Sequence, residues 1–289
     1  LIASWLIIGL GMSAGLYDIA FAGLVSWFGV DARRSITGVT LIAGFASTIG
    51  WPLTAWLEHE IGWRGACLVW AALNLLVALP LHLSLPRAPA PRPAPAADAP
   101  PVSDAPAPGD TSKMVLMAGA FAVLAAIGSA MSAHLPPLLT ALGVGPAAAV
   151  GAAALVGPAQ VAARLAEFAL VRRIHPLVSG RVAVAMFPIG AGLLISFGAI
   201  AAAPFAILYG AGNGLFTIVR GALPLALFGE RNYGRRLGVL NVPSRLLQAV
   251  SPFVFALMIE RSANLALAVM AAGSVLAFGA LMLLRKPAA

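Results

Sequence analysis

Residues 114–138 read MVLMAGAFAVLAAIGSAMSAHLPPL and contain no Asp, Glu, Lys or Arg. A helix needs about 20 mainly apolar residues to cross the hydrocarbon core of a bilayer, so this stretch predicts a membrane-spanning helix. The rest of the chain has the same character, since 61% of its 289 residues are hydrophobic and only 10% are charged. About a quarter of the residues are charged in a typical soluble domain. We therefore expect a polytopic membrane protein.

Similar apolar runs extend on both sides of residues 114–138. Because they are long enough to cross a bilayer as helices, we expect an all-α, polytopic helical membrane protein with nine transmembrane helices. The predicted spans are residues 2–28, 36–57, 66–85, 114–138, 147–171, 181–200, 203–228, 237–259 and 264–284.

Residues 87–113, RAPAPRPAPAADAPPVSDAPAPGDTSK, interrupt this series of spans. The segment is rich in Pro and Ala, carries scattered charge and cannot form an apolar core, so it predicts a disordered linker. It divides the chain into residues 1–86 with the first three spans and residues 114–289 with the other six. Transporters are commonly built from repeated halves, and equal halves around this linker would contain six spans each. We therefore expect three further helices before Leu1.

The Lys and Arg residues between the spans are unevenly distributed, within a net charge of +8 for the chain. The connections on one side of the membrane contain only two basic residues, Arg64 and Arg261, and the other side has many more. Connections rich in Lys and Arg face the cytoplasm, so that other side is expected to be cytoplasmic. The linker and the C-terminus are therefore expected in the cytoplasm, and the protein in the plasma or inner membrane. Because these cations lie in short connections rather than in a basic patch on a soluble face, we expect the lipid bilayer and no nucleic acid as a partner. The cytoplasmic set is Arg33, Arg34, Arg87, Arg92, Lys113, Arg172, Arg173, Arg181, Arg231, Arg235, Arg236, Arg285 and Lys286.

One carboxylate, Asp18, interrupts the apolar stretch GLYDIAFAG at residues 15–23. An ionisable residue within a bilayer costs at least about 2.5–3.5 kcal/mol, so it normally faces the interior of the helix bundle or water. Three interpretations remain open: contact with a proton or substrate, an ion pair with an arginine, or a position near the lipid headgroups. Tyr17, beside Asp18, is a second candidate for contact with a ligand.

Three spans carry polar residues at i, i+4 and i+7, which places each set on one helical face. Each set contains one arginine, at a depth of roughly 11–12 Å from the predicted cytoplasmic end at 1.5 Å per residue. Glu167 follows Arg164 by three residues and is expected to be its local partner. The other two arginines need a counter-charge from Asp18, from a missing helix or from a bound anion, because a guanidinium pairs well with carboxylate or phosphate. The alternative is a network that closes the cytoplasmic side. The sets are Gln160, Arg164 and Glu167; Asn213, Thr217 and Arg220; and Asn241, Arg245 and Gln248.

His134 lies towards the outer end of residues 114–138 and is interpreted as a core residue or a proton relay. No nearby His, Cys or acidic residue completes a metal-binding set with it, and the sequence has no H-E-x-x-H motif. We therefore expect no metal, no cofactor and no enzymatic activity. The candidates for contact with substrate or protons are Asp18, Tyr17, His134, Asn213, Arg220 and Arg245. The candidates for a cytoplasmic gate are Gln160, Arg164, Glu167, Arg172, Arg173, Asn241 and Gln248.

Three short segments resemble the major facilitator superfamily of secondary transporters. In this comparison the first predicted span of the chain corresponds to the family's fourth helix. The segments are GWRG at residues 62–65, RLAEFALVRR at 164–173 and FGERNYGRRLG at 228–238. The second is similar to the family's cytoplasmic gate motif, G-x-x-x-D-R-x-G-R-R, with Glu167 near the Asp position and Arg172 and Arg173 near the paired arginines. The antiporter signature on the family's fifth helix is reduced to Gly50, Trp51 and Pro52, which weighs against drug/proton antiport.

This resemblance implies a monomeric bundle of six plus six helices, in which the first, fourth and seventh spans line a central cavity. Asp18 would then face the cavity. We expect a secondary transporter of a small organic solute, working by alternating access, with a proton-coupled, monocarboxylate-like organic-anion carrier favoured. Drug or metabolite efflux and an intramembrane enzyme are the alternatives. Without the three expected helices one bundle would be half built and the cavity open on one side, so an inactive chain is a further alternative.

Overall fold

The structure, a computed structural model, describes residues 2–44, 46–86, 110–170 and 174–285. The described residues form helices joined by short turns and contain no strand, which confirms the predicted all-α class. The predicted linker lies outside the described residues except for residues 110–113, and so do Arg172 and Arg173. The prediction of a disordered linker therefore stays a prediction.

Twelve α-helices are assigned within the described ranges, with a five-residue π-helical segment, Asn74–Ala78, between α4 and α5. Their bounds are α1 (Ile2–Gly15), α2 (Tyr17–Phe28), α3 (Ala32–Gly44), α4 (Ala46–Leu73), α5 (Leu79–Leu83), α6 (Asp110–Ala141), α7 (Pro146–Ala154), α8 (Val156–Leu170), α9 (Pro176–Phe197), α10 (Ala202–Phe228), α11 (Tyr233–Arg261) and α12 (Ala263–Leu283).

The helices form seven stretches that are long and apolar enough to cross a membrane, within the described residues. The predicted count of nine spans is therefore not supported. The predicted spans 181–200 and 203–228 fall in one stretch, Pro176–Phe228 with 53 residues. The stretch Ile2–Gly44, with 43 residues, contains the predicted span 2–28 and only the first part of the predicted span 36–57, whose residues 46–57 lie in α4. Both stretches run through a short 3₁₀ turn, Gly29–Asp31 in the first and Gly198–Ala201 in the second, and the positive φ of Gly29 and Gly198 ends the preceding helix there. The other stretches are Trp56–Leu83, Asp110–Ala141, Pro146–Ala169, Tyr233–Arg261 and Ala263–Leu283.

Residue contacts divide the chain into two compact units, one of residues 1–41 with 101–289 and one of residues 42–100. The smaller unit contains α4, which bends at Gly62, where φ is +73° and only glycine is free of steric strain. Within it, the Trp70 indole N–H donates to the Thr54 hydroxyl at 3.0 Å. The division into residues 1–86, 87–113 and 114–289 stays a prediction.

In the larger unit, α10 lies at the centre and packs closely against α8 and α9. A Cβ added at Gly210 or Gly214 would lie 2.6 Å from a backbone oxygen of α8, that of Val156 or Gln160 respectively. Only glycine permits this approach, in the manner of small-residue contacts between membrane helices. The main core of the unit consists of apolar side chains from α6 to α12, among them the fully buried Phe121, Phe187 and Phe205.

A second apolar cluster joins α2 and α3 to α10 and α11. The Phe21 ring lies against Gly221, where an added Cβ would come within 2.6 Å of it. The Tyr233 hydroxyl donates to the Gly221 carbonyl oxygen at 2.8 Å. This cluster fixes the position of α2, and hence of Asp18, relative to α10 and α11. Its buried members are Phe21, Val25, Ala32, Ile36, Leu225, Tyr233 and Leu237.

Candidate functional site

Asp18 lies in the first turn of α2, where two arginines from other helices share its carboxylate. Nη2 of Arg220, on α10, donates to both carboxylate oxygens at 2.6 Å. Nη2 of Arg245, on α11, donates to Oδ2 at 2.7 Å. Hydrogen bonds between charged partners of this length are about twice as strong as neutral ones. Asp18 therefore ties α2 to two helices more than 200 residues away in sequence.

The two arginines differ in their surroundings. Arg220 is the more buried, with 15% of its side chain exposed against 41% for Arg245. Its Nε donates to Asn241 Oδ1 at 3.0 Å, whereas Nη1 of Arg245 donates to Gln248 Oε1 at 3.2 Å. The side-chain amide N–H₂ of Asn241 is buried without a hydrogen-bond partner. Two cations thus share one carboxylate, so the group carries one excess positive charge.

A cavity of about 370 Å³ lies beside this group and is reached by the Arg220 side chain. Arg220 is the one charged residue among the described residues that line it. Tyr17 also lines the cavity, with its ring stacked on that of Phe21 at a centroid distance of 5.5 Å. The other polar residues in its wall come from α6, α10 and α11: Ser129, Ser132, Asn213, Thr217 and Gln248.

Glu167 belongs to a second charged group, in which its partner is Arg33. Nη2 of Arg33, at the start of α3, donates to Glu167 Oε1 at 2.8 Å, and Nη1 donates to the carbonyl oxygen of Ile174. The Ser179 hydroxyl donates to the same carboxylate. The expected local pairing of Glu167 with Arg164 is corrected by these contacts.

Arg164 instead donates to neutral oxygens. The closest contact joins its Nη1 to the carbonyl oxygen of Thr40 at 3.1 Å. Longer ones reach the Gly214 carbonyl oxygen at 3.4 Å, the Thr217 hydroxyl at 3.4 Å and Gln160 Oε1 at 3.5 Å. A buried guanidinium needs several acceptors because five N–H groups must be satisfied. Its i+3 spacing from Glu167 was therefore not sufficient to make a pair.

The structure thus brings most of the predicted residues together around Asp18. Tyr17, Asn213, Arg220, Asn241, Arg245 and Gln248 all contact this carboxylate, its arginines or the adjoining cavity. His134 is separate, with its ring 6.4 Å from that of Phe255. Sequence reasoning missed the cavity-lining Ser129 and Ser132, and it assigned Arg33 only to a cytoplasmic connection.

The described residues contain no group of three or more His, Cys, Asp or Glu side chains that could hold a metal ion. No protein-family model and no curated protein matches the chain. What the structure defines is a helical protein with several stretches that are long and apolar enough to span a membrane.

Proposed function

We propose that the protein is a secondary transporter of small organic anions that works by alternating access, with a fold of the major facilitator type. The observation that carries this proposal is the carboxylate of Asp18 shared by Arg220 and Arg245 beside a polar cavity. Ionisable residues within a membrane commonly mark the path of a substrate or ion.

The charge of the group favours an anionic substrate. One excess positive charge remains after Asp18 has neutralised one arginine, and uncompensated charge is costly in a low-dielectric environment. A carboxylate bound in the cavity would supply the missing negative charge. Arg220 can take this role through Nη1, since its Nε donates to Asn241 and its Nη2 to Asp18, and a guanidinium group pairs well with carboxylates.

The same geometry links anion binding to proton uptake. Ionised Asp18 and a substrate carboxylate compete for the same guanidinium groups. Protonation of Asp18 removes one competitor, so a proton and an anion bind more readily together than separately, which is reciprocal linkage. We propose on this basis that one proton is transported together with one monoanion.

Two contacts are proposed as the cytoplasmic gate. The ion pair between Arg33 and Glu167 joins α3 to α8, and the Phe21 cluster joins α2 and α3 to α10 and α11. Both groups would separate when the cytoplasmic side opens. Arg172 and Arg173, which lie outside the described residues, are assigned to the same gate by the sequence motif alone.

We further infer that the seven stretches make nine crossings. Stretches of 43 and 53 residues would be about 65 and 80 Å long at 1.5 Å per residue, against roughly 30 Å of hydrocarbon. Each contains a turn with a glycine at positive φ, Gly29 in the first and Gly198 in the second. Two crossings from each would place the linker and the C-terminus on the same, cytoplasmic side.

Efflux of a lipophilic compound is a second candidate. An apolar cavity of about 540 Å³ lies between α6, α11 and α12 and is lined by residues such as Leu246, Val250 and Phe255. A lipophilic solute would fit this lining, and Asp18 would then serve only to hold the arginines in place.

Uptake of radiolabelled organic anions into proteoliposomes tests the proposal, with the full-length protein compared with Arg220→Lys. Lysine keeps the charge but cannot reproduce the guanidinium fork. A lost hydrogen bond to a charged group is worth about 1.5–3 kcal/mol, so we expect anion affinity to fall about 10- to 100-fold. The control is Arg261→Lys, an exposed arginine at the end of α11. Anion uptake that is absent, or unchanged in Arg220→Lys, contradicts the proposed role.

A further inference from the structure

The hydroxyl groups in the wall of the Arg220 cavity have already committed their protons. Ser129 donates to the carbonyl oxygen of Gln248 at 2.9 Å, and Ser132 donates to that of Gly128 at 2.8 Å. Thr217 donates to the carbonyl oxygen of Asn213 at 2.9 Å. A hydroxyl group has one proton and two lone pairs. In this arrangement each of these three oxygens offers a lone pair that can accept a hydrogen bond from a ligand.

The two amides in the wall have a different capacity. Gln248 accepts from Arg245 through its side-chain oxygen, which leaves its N–H₂ group as a donor. Asn213 can donate as well as accept, because its amide has both groups. The wall thus offers both acceptors and donors, and a ligand hydroxyl, which both donates and accepts, can match either.

We propose that this cavity selects a monocarboxylate that carries hydroxyl groups. The carboxylate lies on Arg220, and the hydroxyl groups donate to Ser132, Thr217 or Ser129 and accept from the two amides. This inference rests on the proposed anion-transport function and specifies its substrate class. The volume of about 370 Å³ is at the small end of the roughly 300–1,000 Å³ found for ligand cavities, which suits a small solute.

The same wall disfavours a second carboxylate. Among the described residues that line the cavity, Arg220 is the only cation, and it binds the first carboxylate. A second one would have no cation to pair with among these lining residues and could reach only neutral hydroxyl and amide groups. A buried charge without a partner is strongly unfavourable. Dicarboxylates are therefore expected to bind less well than monocarboxylates of the same size.

Calorimetric titration of the purified full-length protein with matched anions tests this inference. The pairs are propionate with lactate, propionate with glycerate, and glycerate with malate. One net hydrogen bond corresponds to about five-fold in affinity, so we expect lactate to bind about five-fold more tightly than propionate and glycerate more tightly still. Malate is expected to bind at least about ten-fold more weakly than glycerate.

Ser132→Ala assigns the effect to the cavity wall. It is expected to reduce the preference for lactate over propionate, because only lactate carries a hydroxyl group that can donate to Ser132. Ser26→Ala is the matched control, because Ser26 is also exposed and bonded to a local carbonyl, that of Gly23, but does not line the cavity. Propionate binding as tight as that of lactate and glycerate overturns the inference and leaves the anion function intact. If no carboxylate binds at all, the proposed function fails as well.

Discussion

At the scale of single residues, Asp18 brings Arg220 and Arg245 together. Its position in an apolar run predicted a ligand contact, an ion pair with arginine or a place near the lipid headgroups, and the structure shows an ion pair with both Arg220 and Arg245. The sequence could indicate these partners because the cost of burying charge in a bilayer requires a counter-charge. It could not indicate Ser129 or Ser132, because a serine in an apolar helix gives no signal of whether it lines a cavity.

Asp18→Asn is expected to lower the melting temperature of the protein. The substitution removes the shared carboxylate and leaves two neighbouring guanidinium groups to repel each other. Breaking a fully buried pair costs about 3–5 kcal/mol, and the exposure of Arg245 reduces this here to about 1–3 kcal/mol. Thermal unfolding in nanodiscs measures the change, which corresponds to a decrease of several degrees.

Asp31→Asn is the control for this measurement, since Asp31 is exposed in the turn between α2 and α3. A melting temperature for Asp18→Asn equal to that of Asp31→Asn would mean that the two ion pairs contribute nothing to stability.

At the scale of helices, the contacts between distant elements were the least predictable. The spacing of Arg164 and Glu167 predicted a pair within α8, but Glu167 binds Arg33, 134 residues earlier in the chain. A local spacing shows only which side chains share a face. It does not show what the facing helix presents, and here α3 presents an arginine to Glu167 and a carbonyl oxygen to Arg164.

Gly221 on α10 offers a test of the contact between α2 and α10. A Cβ there would lie 2.6 and 2.9 Å from two atoms of the Phe21 ring and 3.1 Å from Ile36. Gly221→Ala must therefore displace the ring, at a cost of about 1–3 kcal/mol for overpacking. We expect a melting temperature several degrees lower.

A double-mutant cycle identifies the cause of this loss. In Gly221→Ala the further change Phe21→Leu should cost less than it does in the unmodified protein, because the smaller side chain relieves the clash. Gly238→Ala is the control, since its added Cβ meets nothing within 4 Å. Strictly additive effects of the two substitutions would show that the ring does not rest on Gly221.

At the scale of the whole molecule, hydropathy was sufficient to predict an all-α protein with stretches that could span a membrane. Within a bilayer each backbone polar group must be satisfied internally, and a long apolar run can achieve this only as a helix. The number of stretches was not predictable in the same way. The turns at Gly29–Asp31 and Gly198–Ala201 are only three and four residues long, and hydropathy does not show how short the connection between two apolar runs is.

The proposed transport mechanism links Asp18 to anion binding. If protonation of Asp18 frees the two arginines for the substrate, as proposed, anion affinity rises as the pH falls. This dependence should disappear in Asp18→Asn, where the amide carries no charge at any pH. Asp31→Asn should retain it, since the carboxylate that Arg220 and Arg245 share is that of Asp18 and Asp31 lies outside the cavity wall.

The most direct measurement is the internal pH of proteoliposomes that contain the full-length protein, followed as an organic monocarboxylate such as lactate is added outside. We expect the interior to become more acidic with the unmodified protein and with Asp31→Asn. We expect no acidification with Asp18→Asn when the same amount of that variant is inserted in the vesicles. Equal proton movement in the unmodified protein and in Asp18→Asn, or none in either, would contradict proton-coupled anion transport through Asp18.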